Sequence, residues 1–212
     1  MKTSSLFFIL LLLLTTISCS STKRGRELSS VKHAKELLGG RYKKSIVSSF
    51  EKHTGLEKTI LDSVTLGLPK KDKHQAEAIT EAIIEESNLH GLDPYFVMAV
   101  ISGESSFNPS AVGPVGEVGL MQIRPATGKW IAEIYKIEYK SKKTLRDPVA
   151  NIKLGTAYFA WLRGKFDNHS QLYLAAYNMG PKSVKSAMGR RKWPKDYPIH
   201  VMKRYIAYYE GL

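Results

Sequence analysis

The sequence predicts a mainly α protein, on three observations. From residue 74 onward, apolar residues recur at helical spacing, as in Ala76, Ile79, Ala82, Ile83 and Leu89, with glutamates on the other face. Two Asp-Pro pairs, Asp93-Pro94 and Asp147-Pro148, have the form of a helix start. The aspartate caps, and the proline occupies the first turn, where its missing N–H costs nothing. No stretch reads as a strand of convincing length, so the only β structure expected is one small hairpin.

The 212 residues allow one to two domains. Residues 6–14, Leu-Phe-Phe-Ile-Leu-Leu-Leu-Leu-Leu, follow a single Lys2 and read as the core of a secretory signal peptide, 1–18. The run is short for a membrane span, which needs about 20 apolar residues. Cys19 is the only cysteine, so no intramolecular disulfide can form. Residues 19–73 are expected to be a basic tether with a short helical extension, and 74–212 the main domain.

Within the extension, 20–30 are almost free of apolar residues and read as a flexible tether. Val31–Leu38, Lys44–Phe50 and Leu56–Leu66 have helical patterns, broken by Gly39-Gly40, and give two or three short helices available to pack on the main domain. Pro69 to Lys73 reads as a boundary turn. Gly91 supplies the stop of the first long helix. The next, Tyr95 to Ile101, is apolar on every side and so buried, and it delivers Glu104 to the rim of the core. Desolvation there raises a carboxyl pKa, the state a general acid needs.

Residues 109–119 hold two prolines and three glycines and form a loop or small hairpin. Arg124-Pro125 opens a helix carrying Trp130, Ile131 and Ile134. The helix after Asp147 turns Ile152, Gly155, Tyr158, Phe159 and Leu162 inward. Ser170 is expected to cap a helix through Leu172 to Asn178, and Tyr197 to Ile206 closes the chain as a terminal helix.

The formal charge is +13, and residues 19–75 hold 13 Lys and Arg against 6 Asp and Glu. Such a chain is drawn to polyanions, anionic lipid surfaces among them. The export signal and the lack of any recognised nucleic-acid motif argue against nucleic acid as partner. His33, His53, His74, His90, His169 and His200 have no zinc-ligand spacing, and there is no phosphate-binding glycine loop, so no metal or cofactor is expected.

Three motifs in order, Glu104-Ser105 with Phe107-Asn108-Pro109, Gly119-Leu120-Met121-Gln122, and Ala175-Ala176-Tyr177-Asn178-Met179-Gly180, resemble the catalytic domain of lytic murein transglycosylases of the soluble-lytic-transglycosylase type. The resemblance covers roughly residues 76 to 210. It implies a lysozyme-like fold of packed helices, with peptidoglycan glycan strands as substrate. Glycoside cleavage ordinarily uses two carboxylates, whereas this family implies one, Glu104, acting twice. It first protonates the oxygen between N-acetylmuramic acid and N-acetylglucosamine. It then takes the proton of the muramyl C6 hydroxyl as a 1,6-anhydro ring closes without water.

The resemblance assigns Ser105, Met121, Gln122, Tyr177, Asn178 and Tyr205 to the substrate-binding cleft. Met121 also fits a purely packing role. Three departures stand out. Gly113 occupies a position where many relatives have serine, Glu117 one where a small residue is frequent, and Val201-Met202 replace a common Glu-Thr. If Glu117 faces the cleft, it could position water, giving a lysozyme-like muramidase. A catalytically weak peptidoglycan-binding scaffold is the remaining reading. Thr16-Ile17-Ser18-Cys19 resembles a bacterial lipoprotein processing site. It implies lipidation at Cys19 and an exported, periplasmic protein anchored to the outer membrane, with an ordinary signal peptide as the alternative.

Overall fold

The computed structural model describes residues 30–44 and 55–210. The expected signal peptide, Cys19, the tether to residue 29 and the pattern at 45–50 lie outside the described residues. Among the described residues the protein is helical, in order α1 (residues 30–38), α2 (Leu56–Gly67), α3 (Ala76–His90), α4 (Pro94–Ser105), α5 (Pro125–Tyr135), α6 (Pro148–Lys165), α7 (Ser170–Met179), α8 (Pro181–Gly189) and α9 (Asp196–Glu210). Short 3-10 turns, Gly39–Lys44, Lys70–Gln75 and Lys142–Arg146, follow α1, precede α3 and precede α6.

Helix α4 is the axis of the bundle. Phe96 through Ile101 are all 0% exposed, and α9, α3 and α2 pack around them. Burial on this scale is the main source of stability, at about 25 cal/mol per Å² of apolar surface. The Phe96 ring shows how many elements converge, since it meets His33 of α1, Phe159 of α6 and Tyr205 of α9 edge-on. The starts of α4 and α6 and the stop of α3 are those the sequence predicts. Asp93 Oδ1 accepts from Tyr95 N at 2.8 Å, Asp147 Oδ1 accepts from Ala150 N at 2.7 Å, and Gly91 is left-handed after α3. Ser170 does not cap α7. It is the first helical residue, and His169 precedes it without a side-chain cap.

The N-terminal segment shares this core. His33 is 0% exposed, and its Nδ1 accepts from Asp93 N at 2.9 Å, which leaves the Nε2 proton to donate to Tyr173 OH at 3.1 Å. Burial, with the Arg163 charge, holds the imidazole well below its ordinary pKa, so it stays neutral. Arg163 grips Glu36 through Nη2 at 2.6 Å and Nε at 3.0 Å, and Nη1 reaches Gly91 O at 3.3 Å. Ile60, Val64 and Leu68 of α2 and the residues after it add further buried surface.

The expected hairpin after α4 is smaller than predicted. Only two isolated antiparallel bridges form, Val112 with Val118 and Val118 with Ile123. Pro109 and Pro114 lack an N–H, and Gly116 and Gly119 sit at positive φ where the chain turns rather than extends, so no ladder forms. A side chain fixes the loop instead. Asn151 of α6, 0% exposed, donates to Val118 O and Leu145 O and accepts from Met121 N at 2.7 Å.

Candidate active site

Helix α4 ends where the core opens, and its last turn carries Glu104. The carboxyl lines a cleft of about 440 Å³ walled by the loop residues Pro114, Glu117 and Gln122, by Arg124 and Thr127 at the start of α5, by Tyr158 of α6, and by Tyr177 to Pro181. Tyr197 OH donates to Glu104 Oε1 at 2.5 Å. Burial pushes the Glu104 carboxyl above the ordinary range. Tyr197 pulls it back, the Glu117 charge adds to the rise, and Arg204 opposes it. Burial and the Glu104 charge in turn keep Tyr197 protonated, hence a donor.

The loop supplies the opposite wall through strained geometry. Gln122 sits at φ 48°, and its Nε2 donates to Gly119 O at 2.9 Å and Ala111 O at 3.2 Å. A side chain that spends its donors on the backbone is fixed in place. Glu117 faces the cleft, with Oε1 accepting from Arg124 Nε at 3.0 Å and Oε2 from Val115 N at 3.1 Å. Burial raises this carboxylate, but its own backbone N–H, the Arg124 guanidinium and Val115 N together outweigh it and hold the group below the ordinary range, so it is ionised. Gly113 explains itself here. A Cβ at that position would lie 2.6 Å from Glu117 Oε2 and 2.7 Å from Gln122 Oε1. A serine at 113 and an inward-facing Glu117 therefore compete for one space.

The remaining residues expected in the cleft separate into two groups. Tyr177 and Asn178 line it. The Tyr177 ring stacks on Phe159 at 3.9 Å between centroids, and its hydroxyl donates to Met121 O at 2.8 Å. Ser105, Met121 and Tyr205 stand behind it. Ser105 Oγ donates to Leu120 O at 2.8 Å, tying the loop to α4. Met121 is 0% exposed, and its sulfur fills the space a Cβ on Gly155 would need, at 2.3 Å.

Tyr205 is also 0% exposed, and its hydroxyl donates to Asp93 Oδ2 at 3.1 Å, at the far end of α4. The expectation that Tyr205 reaches the cleft is therefore corrected. Tyr197 takes that place, two turns earlier on the same side of α9. The reason is direction, because α9 runs antiparallel to α4 and its first turn meets Glu104 while its third meets Asp93. The only signal in the sequence was the i, i+8 spacing of the two tyrosines. Among the described residues no cluster of three or more His, Cys, Asp or Glu could hold a metal ion.

Comparison with known proteins places this geometry. The family described as "Transglycosylase SLT domain" matches residues 81–200. The soluble lytic murein transglycosylase of Escherichia coli K12 is 39% identical over 95 residues, 44% of this chain and 15% of that protein. The membrane-bound lytic murein transglycosylase C of Salmonella arizonae is 34% identical over 138 residues, 59% of this chain and 38% of that protein. The chain thus spans well under half the length of either relative. Among solved structures, the 70 kDa soluble lytic transglycosylase of E. coli superposes with a TM-score of 0.57 at 29% identity, over 66% of this chain and 26% of that one. An inactive mutant of the lytic transglycosylase Slt of Pseudomonas aeruginosa gives 0.52 at 27% identity, over 66% and 23%.

Proposed function

The chain belongs to the transglycosylase SLT domain family, and on that premise we propose that it is a lytic murein transglycosylase in which Glu104 alone serves as acid and then base. The lysozyme-like helical fold is that of the family's solved structures.

In the first step Glu104, whose protonated form burial favours, gives its proton to the glycosidic oxygen between N-acetylmuramic acid and N-acetylglucosamine. The bond to the muramyl C1 breaks with its electron pair leaving on that oxygen. The muramyl acetamido group stabilises the developing cation. In the second step the glutamate takes the C6 hydroxyl proton as O6 bonds to C1. The 1,6-anhydro ring closes, Glu104 is again protonated, and no water is consumed. General acid–base catalysis of this kind contributes about a hundred- to ten-thousand-fold in rate.

One observation carries this reading. The raised carboxyl lines the cleft wall, with Oε1 held by Tyr197. Asn178 offers a polar tip, and Gln122, its amide donors held by Gly119 O and Ala111 O, leaves Oε1 to accept from an acetamido N–H beside the Tyr177 ring. The Pseudomonas relative supports the assignment, since its inactive form carries glutamine in place of a glutamate.

A second reading rests on Glu117, whose ionised carboxylate faces the same cleft. If it orients a water, the product has a reducing end and the enzyme is a muramidase. Mass spectrometry of muropeptides released from purified peptidoglycan separates the two. Anhydro ends lost in Glu104→Gln are expected. Reducing ends would assign hydrolysis, and no release by folded protein would leave a binding scaffold.

We also propose export through residues 1–18 and lipidation at Cys19, with anchoring in the outer membrane. Among the described residues no helix is long and apolar enough to cross a membrane. Loss of palmitate labelling and of membrane association in Cys19→Ser is the expected result, while a membrane-bound, unlabelled protein would overturn it.

A further inference from the structure

The positive charge of the chain gathers at its C-terminal end. From Ser170 to Tyr209 there are eight Lys and Arg against one carboxylate, Asp196, which is more than half of the net charge of +13. All of these cations but Arg204 are exposed, and none of them is in an ion pair among the described residues. Elsewhere cations find partners, since Lys58, Arg124, Lys140, Lys153 and Arg163 each pair with a carboxylate.

The centre of this charge is the segment joining α8 to α9, Arg190-Arg191-Lys192-Trp193-Pro194-Lys195. Cations flank Trp193 on both sides, and its ring is 51% exposed. The segment is held in shape. Arg191 stands at φ 54°, where a helix end usually places glycine. Its N–H donates to Met188 O at 2.9 Å, and that of Lys192 to Ala187 O at 2.9 Å, which closes α8. Gln171 Nε2 of α7 donates to Pro194 O at 3.3 Å. On α8, Lys182 and Lys185 lie opposite the buried Val184 and Ala187. On α9, Ile199, 47% exposed, and Lys203 lie one turn apart on the side away from Val201 and Tyr205.

The chemistry of the segment selects its partner. Lys, Arg and the indole N–H only donate hydrogen bonds, so residues 190–195 offer no side-chain acceptor to a neutral sugar, whose hydroxyls ask for both. They suit a surface of acceptor anions, and the exposed Trp193 and Ile199 ask for an apolar layer beneath it. Phosphodiester headgroups over hydrocarbon provide both. Trp settles at the headgroup level of a bilayer, and Lys and Arg are drawn to an anionic leaflet. The connectivity agrees. His33 of α1 donates to Tyr173 OH, two residues along α7 from the Gln171 that holds Pro194. The chain arriving from residue 29, on which the proposed Cys19 anchor lies, therefore joins the domain at the same end of α7 as the basic segment.

We propose that this face docks on an anionic phospholipid bilayer, with Trp193 and Ile199 entering the headgroup layer and the surrounding cations on lipid phosphates. Pro181, the first residue of α8, lines the cleft, and Tyr197, which holds Glu104, lies four residues past Trp193. Docking thus turns the α8 and α9 side of the cleft toward the membrane. The inference concerns a surface outside the cleft and stands apart from the proposed reaction.

The test mixes the full chain with vesicles of equal parts phosphatidylglycerol and phosphatidylcholine whose acyl chains are brominated. Emission from Trp193 is read as the difference from Trp193→Phe. Quenching of that emission is expected on these vesicles, little of it on brominated phosphatidylcholine alone, and its loss in concentrated salt. Lys192→Ala combined with Lys195→Ala, two exposed and unpaired side chains, is expected to weaken binding about thirtyfold, or roughly fivefold for each charge removed from an anionic surface. Vesicle binding that leaves Trp193 unquenched would put the contact in another part of the chain and overturn the proposal. Equal quenching on phosphatidylcholine alone, or indifference to the double variant, would overturn it too. Shielding of Trp193 from acrylamide by purified peptidoglycan, and not by vesicles, would assign the face to the wall instead.

Discussion

The two ends of α4 carry the same chemistry in opposite circumstances. At its start Asp93, and at its end Glu104, are carboxyl groups whose pKa burial raises, and each accepts a hydrogen bond from a tyrosine of α9. At Asp93 every neighbour is protein. One oxygen caps the helix through Tyr95 N, the other takes Tyr205 OH, and His33 accepts the aspartate's own backbone N–H. At Glu104 the tyrosine holds one oxygen, and the residue lines the open cleft. The difference teaches that a raised carboxyl is not by itself an active-site residue. Asp93 is the more perturbed, pushed to about 6, yet it has nothing to react with. Access separates a carboxyl placed to meet a substrate from one that fastens a helix.

The comparison breaks most visibly at its open end. Glu104→Gln is expected to lower muropeptide release about a hundred- to ten-thousand-fold while leaving thermal unfolding nearly unchanged. An equal fall in melting temperature would mean that the residue serves the fold.

The closed end should show the reverse. Asp93→Ala is expected to cost about 2 to 4 kcal/mol in denaturant unfolding, combining a lost cap with the unpaired Tyr205 hydroxyl. The sign of its pH dependence follows from the raised pKa. Between the ordinary aspartate value and about 6 the folded state binds the proton and the unfolded state does not. Its contribution to stability is therefore full below that window and lost as pH rises through it, on the order of 3 kcal/mol in all. Asp93→Asn should flatten the stability profile over that range, and a persistent slope would place its origin elsewhere.

Tyr197→Phe sharpens the contrast at smaller scale. Removing the donor raises the Glu104 pKa further, so the alkaline limb of the pH–rate profile moves up. The rate is expected to fall about tenfold, the worth of one hydrogen bond to a charged group. If Tyr205→Phe, rather than Tyr197→Phe, moves that limb, the antiparallel pairing of α9 with α4 is wrong. The smallest effect belongs to Glu117→Gln. Its charge adds to the rise at Glu104, so the limb should move down, with a rate change within about threefold, the equivalent of about half a pKa unit. A switch from reducing to anhydro ends in this variant would favour the muramidase reading.

Much of this was legible in the chain. The helices announce themselves through Asp93-Pro94, Asp147-Pro148 and Gly91, because capping and proline geometry act within a few residues. Glu104, Gln122 and Tyr177 could be picked out because motif spacing recurs in a family. Tyr197 could not, because two tyrosines eight residues apart share one face of α9, and sequence cannot choose between them. The role of Gly113 was equally hidden, since it depends on where the Glu117 and Gln122 side chains come to rest. Ser105 and Met121 were drawn into the cleft by their place in the motifs, though one holds the loop and the other fills the space at Gly155.

By itself the sequence determined what local forces decide. It set the helical class, the helix starts and stops, the buried character of α4 and the presence of a carboxyl at its end. Tertiary structure alone decided which tyrosine meets that carboxyl, that Glu117 faces the cleft, that His33 from the N-terminal segment is sealed into the core, and that the cations around Trp193 meet no carboxylate. The physical reason is range. Capping and periodicity are fixed by neighbours along the chain, whereas burial, pKa shifts and unpaired charges depend on what arrives from elsewhere in it, and only the packed helices say what that is.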